Sequence, residues 1–211
     1  MIRFSKPLSF GLIIVLLQLI MIFNSSYFFG EKFAEEYSSP MFGYLVFFLA
    51  FFPTLLDNPL MKISAVNAIP YFAIFLFIGV AISMLPGMSM FQVNLSPNED
   101  PQFIKGVMCY QIIFVANTEE AIFRSILPTL LPSIFVLGIK ISSKILSNIV
   151  FGFFHLGTYF FLSSTTGQSL TVLVITAILA GLAFQAITEK FGIAAAMGAH
   201  SGINIANLGV L

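Results

Sequence analysis

Thr118-Glu119-Glu120-Ala121-Ile122-Phe123-Arg124 places three charges within six residues of a chain that is otherwise almost uncharged. Apolar sequence encloses the segment, residues 112–116 before it and 126–131 after it. A charged side chain at the centre of a bilayer costs about 2.5–3.5 kcal/mol on insertion scales. Three of them together predict a polar site inside a helical membrane bundle.

The composition excludes the obvious alternative. Of 211 residues, 58% are hydrophobic and only 9% charged, and the mean hydropathy is +1.00. A soluble domain is about 25% charged, so this chain lacks the polar surface to cover a water-soluble globule. The expected architecture is all-α, a polytopic transmembrane bundle forming a single domain over 1–211, with a motif-bearing core at 106–211. Net charge is zero, which gives no basis for nucleic-acid binding. Cys109 is the only cysteine, so no intrachain disulfide can form. It lies in an apolar run and reads as a packing residue.

A spanning helix needs about 20 mostly apolar residues. Seven stretches meet or approach this: 8–29, 41–56, 63–85, 106–131, 144–162, 169–188 and 191–211. The first follows Arg3 and Lys6 like a signal peptide, but it is long enough to span and no small-residue cleavage site follows. Tyr27, Phe28 and Phe29 read as an interfacial belt, so this is expected to be an uncleaved first helix. Pro53 is expected to shorten the second span, and Pro128 and Pro132 to break or kink the end of the fourth. Residues 31–40 read as a polar connection, Asp57-Asn58-Pro59 as a turn, 86–101 as the longest loop and 133–139 as a short interfacial piece. Residues 163–168 are small and polar, and Glu189-Lys190 is expected between the last two helices.

Basic residues set orientation in short loops. With the N-terminus inside, Arg3, Lys6, Lys62, Lys140, Lys144 and Lys190 fall on the cytoplasmic side, and Lys32 and Lys105 opposite. The expected location is a prokaryotic cell membrane, multi-pass, with the N-terminus cytoplasmic and the lipid bilayer as surroundings.

Three polar groups then stand out on three helices. Glu120 and Arg124 are four apart, share a helix face and can pair. Glu119 is rotated by about 100° and projects elsewhere. Two glutamates against one arginine leave a carboxylate that this pair does not neutralise. Phe151-Gly152-Phe153-Phe154-His155 lies in the fifth span, where Gly152 and Gly157 permit close helix approach. Asn148 sits two turns before His155 on roughly the same face; it reads equally as a polar neighbour or as interhelical glue and is assigned no role. His200-Ser201-Gly202-Ile203-Asn204 lies in the last span, with His200 and Asn204 facing the same way. Gly198, Gly202 and Ala194, Ala195 and Ala196 make this a thin helix that packs tightly. Carboxylate plus imidazole can activate water, and a second imidazole with an amide donor can stabilise an oxyanion. Each pair alone also reads as structural: a satisfied ion pair, a backbone-bonded histidine, or polar glue.

Glu119-Glu120-x-x-x-Arg124, Phe151-x-x-x-His155 and His200-x-x-x-Asn204 occur in the order of the motifs of the CAAX-protease and bacteriocin-processing (Abi, or CPBP) family. Over residues 111–207 the chain resembles these intramembrane glutamate endopeptidases, which include the type II CAAX prenyl endopeptidases. The resemblance implies a helical membrane bundle with a water-filled cavity. It implies that Glu119 is the catalytic glutamate, His155 its partner in activating water, and His200 and Asn204 the oxyanion pair. Arg124 and Glu120 resemble the supporting ion pair and Phe151 a packing residue of the site.

The expected activity is hydrolysis of a peptide bond in a membrane-tethered protein or peptide, near its hydrophobic end. No cofactor is expected. Zinc held by Glu119, His155 and His200 is the minority reading, since the chain has no H-E-x-x-H and Asn204 suits an oxyanion donor better than a ligand. The alternative from another class is a non-catalytic membrane protein, a bacteriocin-immunity factor or a proton-coupled carrier. A carrier would show duplicated halves or paired broken helices, and neither is evident here.

Overall fold

Helices occupy most of residues 6–57, 67–84, 99–157, 163–164, 167 and 169–208, the part of the chain described by the computed structural model. They are α1 (Lys6–Phe29), α2 (Glu31–Asp57), α3 (Ala68–Ser83), α4 (residues 101–130), α5 (Ser143–Phe154), α6 (Leu170–Phe191) and α7 (Ile193–Asn207). A hairpin of β1 (Ile134–Val136) and β2 (Ile139–Ile141) joins α4 to α5. The fold is all-α apart from this hairpin.

The polarity is inverted relative to a soluble protein. Leu16, Phe23, Phe77 and Leu179 lie on the outside, while Gln18, Glu120, Arg124, Ser147, Asn148, Thr188 and Ser201 are fully enclosed. An apolar exterior around a polar interior suits lipid as solvent, because polar groups then find partners only within the bundle. Two segments, Gly11–Phe29 and Leu170–Phe191, are long and apolar enough to cross a membrane on their own. The helices Ala68–Ser83 and Ser143–Phe154 are apolar but shorter. Seven helices are therefore present among the described residues, and two of them satisfy the criterion for a span.

Three connections differ from expectation. Residues 31–40 are not a loop: α2 begins directly after Gly30, whose φ of +87° makes the break. The reason is an apolar stripe at helical spacing hidden in a polar stretch. Phe33, Met41, Leu45 and Phe48 are buried on one face, and Tyr37 stacks on Phe33 at 4.8 Å. Nor does Pro53 shorten the helix, which continues to Asp57. Residues 133–139 fold into the hairpin, turned by Leu137 (φ 50°) and Gly138 (φ 80°). Left-handed backbone at both turn positions is what a two-residue hairpin turn needs. Glu189 and Lys190 complete the last turn of α6, and the separation from α7 falls at Gly192, φ +88°. Most of the expected loop 86–101 and half of the connection 163–168, with residues 58–59, 158–162 and 209–211, lie outside the described residues.

Helix α4 is the axis of the site. Asp100 caps it by accepting from Gln102 N at 2.9 Å, with Pro101 in the first turn. Two π-helical segments, Gln111–Ala116 and Ala121–Ile126, bracket the four residues Asn117–Glu120. Pro132 forces Leu131 into an extended conformation and ends the helix. Lys32 pairs with Glu99 near the start of α4. Lys144 pairs with Glu189 at 2.6 Å beyond its far end.

The partner of α7 is α3, and the contact is backbone on backbone. A Cβ added at Gly198 would lie 2.2 Å from the Phe72 carbonyl oxygen, and one at Gly202 would lie 2.1 Å from that of Leu76. From the other side, a Cβ at Gly79 would lie 2.2 Å from the Ala199 carbonyl oxygen. Small residues at such crossings let helices approach closely in lipid, where van der Waals contact replaces the hydrophobic effect. Gly152 serves α5 similarly, its Cβ position lying 2.4 Å from Ile178 Cγ1; a Cβ at Gly157 would meet none of the described residues within 4 Å. Gly202→Leu is expected to push α3 and α7 apart at a cost of at least about 1–3 kcal/mol. A thermal melt in detergent matching the unsubstituted protein would contradict this packing.

Candidate active site

Every residue from Ala116 to Ala121 is buried, so α4 is enclosed around its whole circumference here. That is why two adjacent glutamates can both point inward. π segments inside helices often mark functional sites, and here one lies on each side of the pair.

Glu120 is the anchored carboxylate. It accepts from Arg124 Nε at 3.0 Å, with Arg124 Nη2 at 3.4 Å. Both side chains are wholly enclosed. Its Oε1 also accepts from His200 Nδ1 at 2.9 Å. Arg124 donates to Asn148 Oδ1 on α5, and its guanidinium lies 4.6 Å from the centroid of the Phe151 ring. Asn148 donates in turn to the Lys144 carbonyl at 2.9 Å, and Ser147 donates to the Phe123 carbonyl at 2.6 Å. A buried pair is worth keeping only if its remaining hydrogen-bonding capacity is met; Asn148 and His200 contribute to that here, and the Phe151 ring adds a cation–π contact.

Glu119 differs. Its Oε2 is buried and makes no hydrogen bond to the described residues. It faces two imidazole nitrogens, His155 Nε2 at 3.4 Å and His200 Nε2 at 3.7 Å. Each ring commits its other nitrogen elsewhere: His155 Nδ1 donates to the Phe151 carbonyl at 2.9 Å and His200 Nδ1 to Glu120. Because carbonyl and carboxylate oxygens only accept, both Nδ1 atoms carry hydrogen. Both Nε2 atoms are thus the ring nitrogens left facing Glu119 Oε2, while Arg124 pairs with Glu120 alone.

Aromatic rings hold the imidazoles in place. His155 packs edge-on to Phe151 at 4.7 Å, and His200 stacks on Phe184 at 5.0 Å with 17° between planes. Asn204 stands one turn beyond His200 and donates to Gln111 Oε1 at 3.1 Å. It is therefore tied to α4 through Gln111. The structure thus brings Glu119, Glu120, Arg124, Phe151, His155 and His200 into one connected group, and Asn204 extends it toward the first π segment.

A cavity of about 480 Å³ opens beside this group. Pro40, Gly43, Tyr44 and Phe47 form its α2 wall, at spacings of three and four. Thr118, Glu119, Ile122, Phe123 and Leu127 form the α4 wall, and Val150 and Phe154 belong to α5. Glu119 brings an acid to a lining whose other polar side chains are Tyr44 and Thr118.

Sequence reasoning left Asn148 without a role and missed Gln18, Gln111, Tyr44 and Phe184. Gln18 lies in the apolar first span, yet it is fully buried and donates to the Ile113 carbonyl in the first π segment at 3.1 Å. The available signal was a lone amide in a run of leucines and isoleucines, which needs a partner inside the bundle. Among the described residues, no group of three or more His, Cys, Asp or Glu donors has the arrangement of a metal site.

Residues 101–206 match the family model described as Type II CAAX prenyl endopeptidase Rce1-like. No curated protein matches the chain, and no solved structure does.

Proposed function

The chain belongs to the Rce1-like type II CAAX prenyl endopeptidase family, and on that premise we propose that it is an intramembrane endopeptidase in which Glu119 activates water. Its substrate is a membrane-tethered protein or peptide whose hydrophobic end enters the apolar cavity between α2, α4 and α5. The observation that carries this reading is Glu119 Oε2, buried and without a hydrogen bond to the described residues, facing two Nε2 atoms at 3.4 and 3.7 Å on the cavity wall.

The chemistry follows from which ring nitrogens are committed to Phe151 and Glu120 and which face Glu119. Water beside Glu119 gives a proton to the Glu119 and His155 pair as its oxygen bonds to the scissile carbonyl carbon. The carbonyl oxygen becomes an oxyanion, which His200 and Asn204 stabilise by donation. When the carbon–nitrogen bond breaks, the leaving amine takes a proton back from the same pair. Glu120 keeps His200 oriented through Nδ1, as carboxylates orient catalytic imidazoles, and Arg124 holds Glu120. The seven helices act as membrane spans, with the Lys144 end of the bundle cytoplasmic and the Lys32 end opposite.

Two imidazoles and a carboxylate are also the donor types of a catalytic zinc site, so the assay has a chelation arm. Purified protein in liposomes is given a panel of tethered reporters, including a prenylated CAAX peptide and a lipid-anchored leader peptide. Cleavage that survives a strong chelator supports water activated by protein groups alone. Loss restored by zinc overturns that version, and no cleavage of any reporter overturns the peptidase reading. A second arm uses Gly43, where an added Cβ meets none of the described residues within 4 Å. Gly43→Phe fills the cavity without disturbing packing and is expected to raise KM about 10-fold or more, since about 1.4 kcal/mol of lost binding is tenfold. An unchanged KM would show that the substrate does not use this cavity.

A further inference from the structure

Asn204 is half-buried and gives one of its two amide hydrogens to Gln111 Oε1 at 3.1 Å. The terminal torsion of an asparagine is broad and nearly two-fold. An unrestrained carboxamide therefore presents its oxygen to a site about as readily as its nitrogen. For an oxyanion the difference is decisive, because Nδ2 donates and Oδ1 repels. A group that accepts from Nδ2 on the side away from the chemistry removes that ambiguity.

We infer that Gln111 is a positioning residue that holds the Asn204 carboxamide with its second N–H turned toward the scissile carbonyl. This rests on the reading of Asn204 as an oxyanion donor. The location of Gln111 suits the task. It opens the first π segment, Gln111–Ala116, and α7 packs along that segment. The same segment is tied to α1 by Gln18, which donates to Ile113 O, and Asn117 donates to the same oxygen at 3.2 Å. The backbone two residues beyond Gln111 is thus tied to α1 while the Gln111 side chain reaches α7. Helix α1 lies outside the family-matched region, so the N-terminal part of the chain supports the site through this contact.

The test compares Gln111→Met, Gln111→Glu, Asn204→Ala and the double variant Gln111→Met/Asn204→Ala on whichever reporter the unsubstituted protein cleaves. Methionine keeps the volume and removes the acceptor; glutamate keeps an acceptor and nothing else. Gln111→Met is expected to lower kcat about 10–100-fold, the range of a displaced catalytic group or part of a lost oxyanion donor, with KM nearly unchanged. Gln111→Glu recovers most of that loss, and the double variant is no slower than Asn204→Ala alone. A fold-only role for Gln111 would instead lower the melting temperature, leave kcat per folded molecule unchanged and add to the Asn204 defect. That pattern overturns the inference. Normal cleavage by Asn204→Ala overturns the oxyanion reading itself, so the two failures are distinct. A readout independent of any substrate is the side-chain amide of Asn204 in protein labelled with ¹⁵N-asparagine, identified by its loss in Asn204→Ala. Its protection from hydrogen exchange is expected to vanish in Gln111→Met; protection that persists overturns the inference even if no reporter is cleaved.

Discussion

Glu119→Gln is expected to lower kcat about 10³-fold, within the 10²–10⁴ range that a positioned base contributes, while the protein melts as before. Glutamine matches the shape of glutamate but cannot take a proton from water. The fold should tolerate it because Glu119 has no part in the Glu120–Arg124 pair, and its Oε2 makes no hydrogen bond to the described residues. His155→Ala removes the nearer imidazole, 3.4 Å away, and is expected to fall in the same direction with a smaller loss. Reporter cleavage in liposomes, normalised to folded protein, measures both. Undiminished turnover by Glu119→Gln would remove the base from the mechanism, and with it the proposed activity.

The second large effect is on stability and concerns the neighbouring carboxylate. Arg124→Leu leaves Glu120 enclosed with a charge that only His200 faces. Breaking a buried pair from one side costs about 3–5 kcal/mol, against a total stability of about 5–15 kcal/mol for a typical domain. The expected result is little folded protein after extraction, with early aggregation on heating. Arg124→Lys is expected to be intermediate, since one ammonium cannot serve Glu120 and Asn148 in the arginine's fork geometry. Removing both charges in Glu120→Leu/Arg124→Leu should restore much of the melting temperature but not activity, because His200 loses the acceptor of its Nδ1. If the double variant melts no higher than Arg124→Leu, the cost lies in packing against Phe151 rather than in charge.

These two residues show what was legible beforehand. Glu120 and Arg124 are four apart, and helix geometry alone pairs them. That Arg124 leaves Glu119 without its pairing followed from the same geometry together with the charge count. The histidines were legible as candidates because an apolar chain with few polar groups has few places to put them. The contact between His200 and Glu120 spans 80 residues, and no spacing rule reaches that far. The two π segments were equally hidden, because they follow from how α4 is gripped by its neighbours and have no residue signature of their own. Residues 31–40 read as a loop because charge was weighed above the buried stripe Phe33, Met41, Leu45 and Phe48 within and beyond them.

By itself the sequence determined the solvent of this protein and the material of its site. A chain that is 58% hydrophobic and 9% charged must put apolar groups outward into lipid, and its few ionisable groups must then meet one another inside. Which of them meet was decided by tertiary structure. Backbone contact at Gly79, Gly198 and Gly202 sets how deeply α7 enters the bundle. That depth sets His200 on Glu120 and Asn204 on Gln111, leaving Glu119 facing two imidazoles. Such distances depend on the approach of helices remote in sequence, which local propensity does not encode.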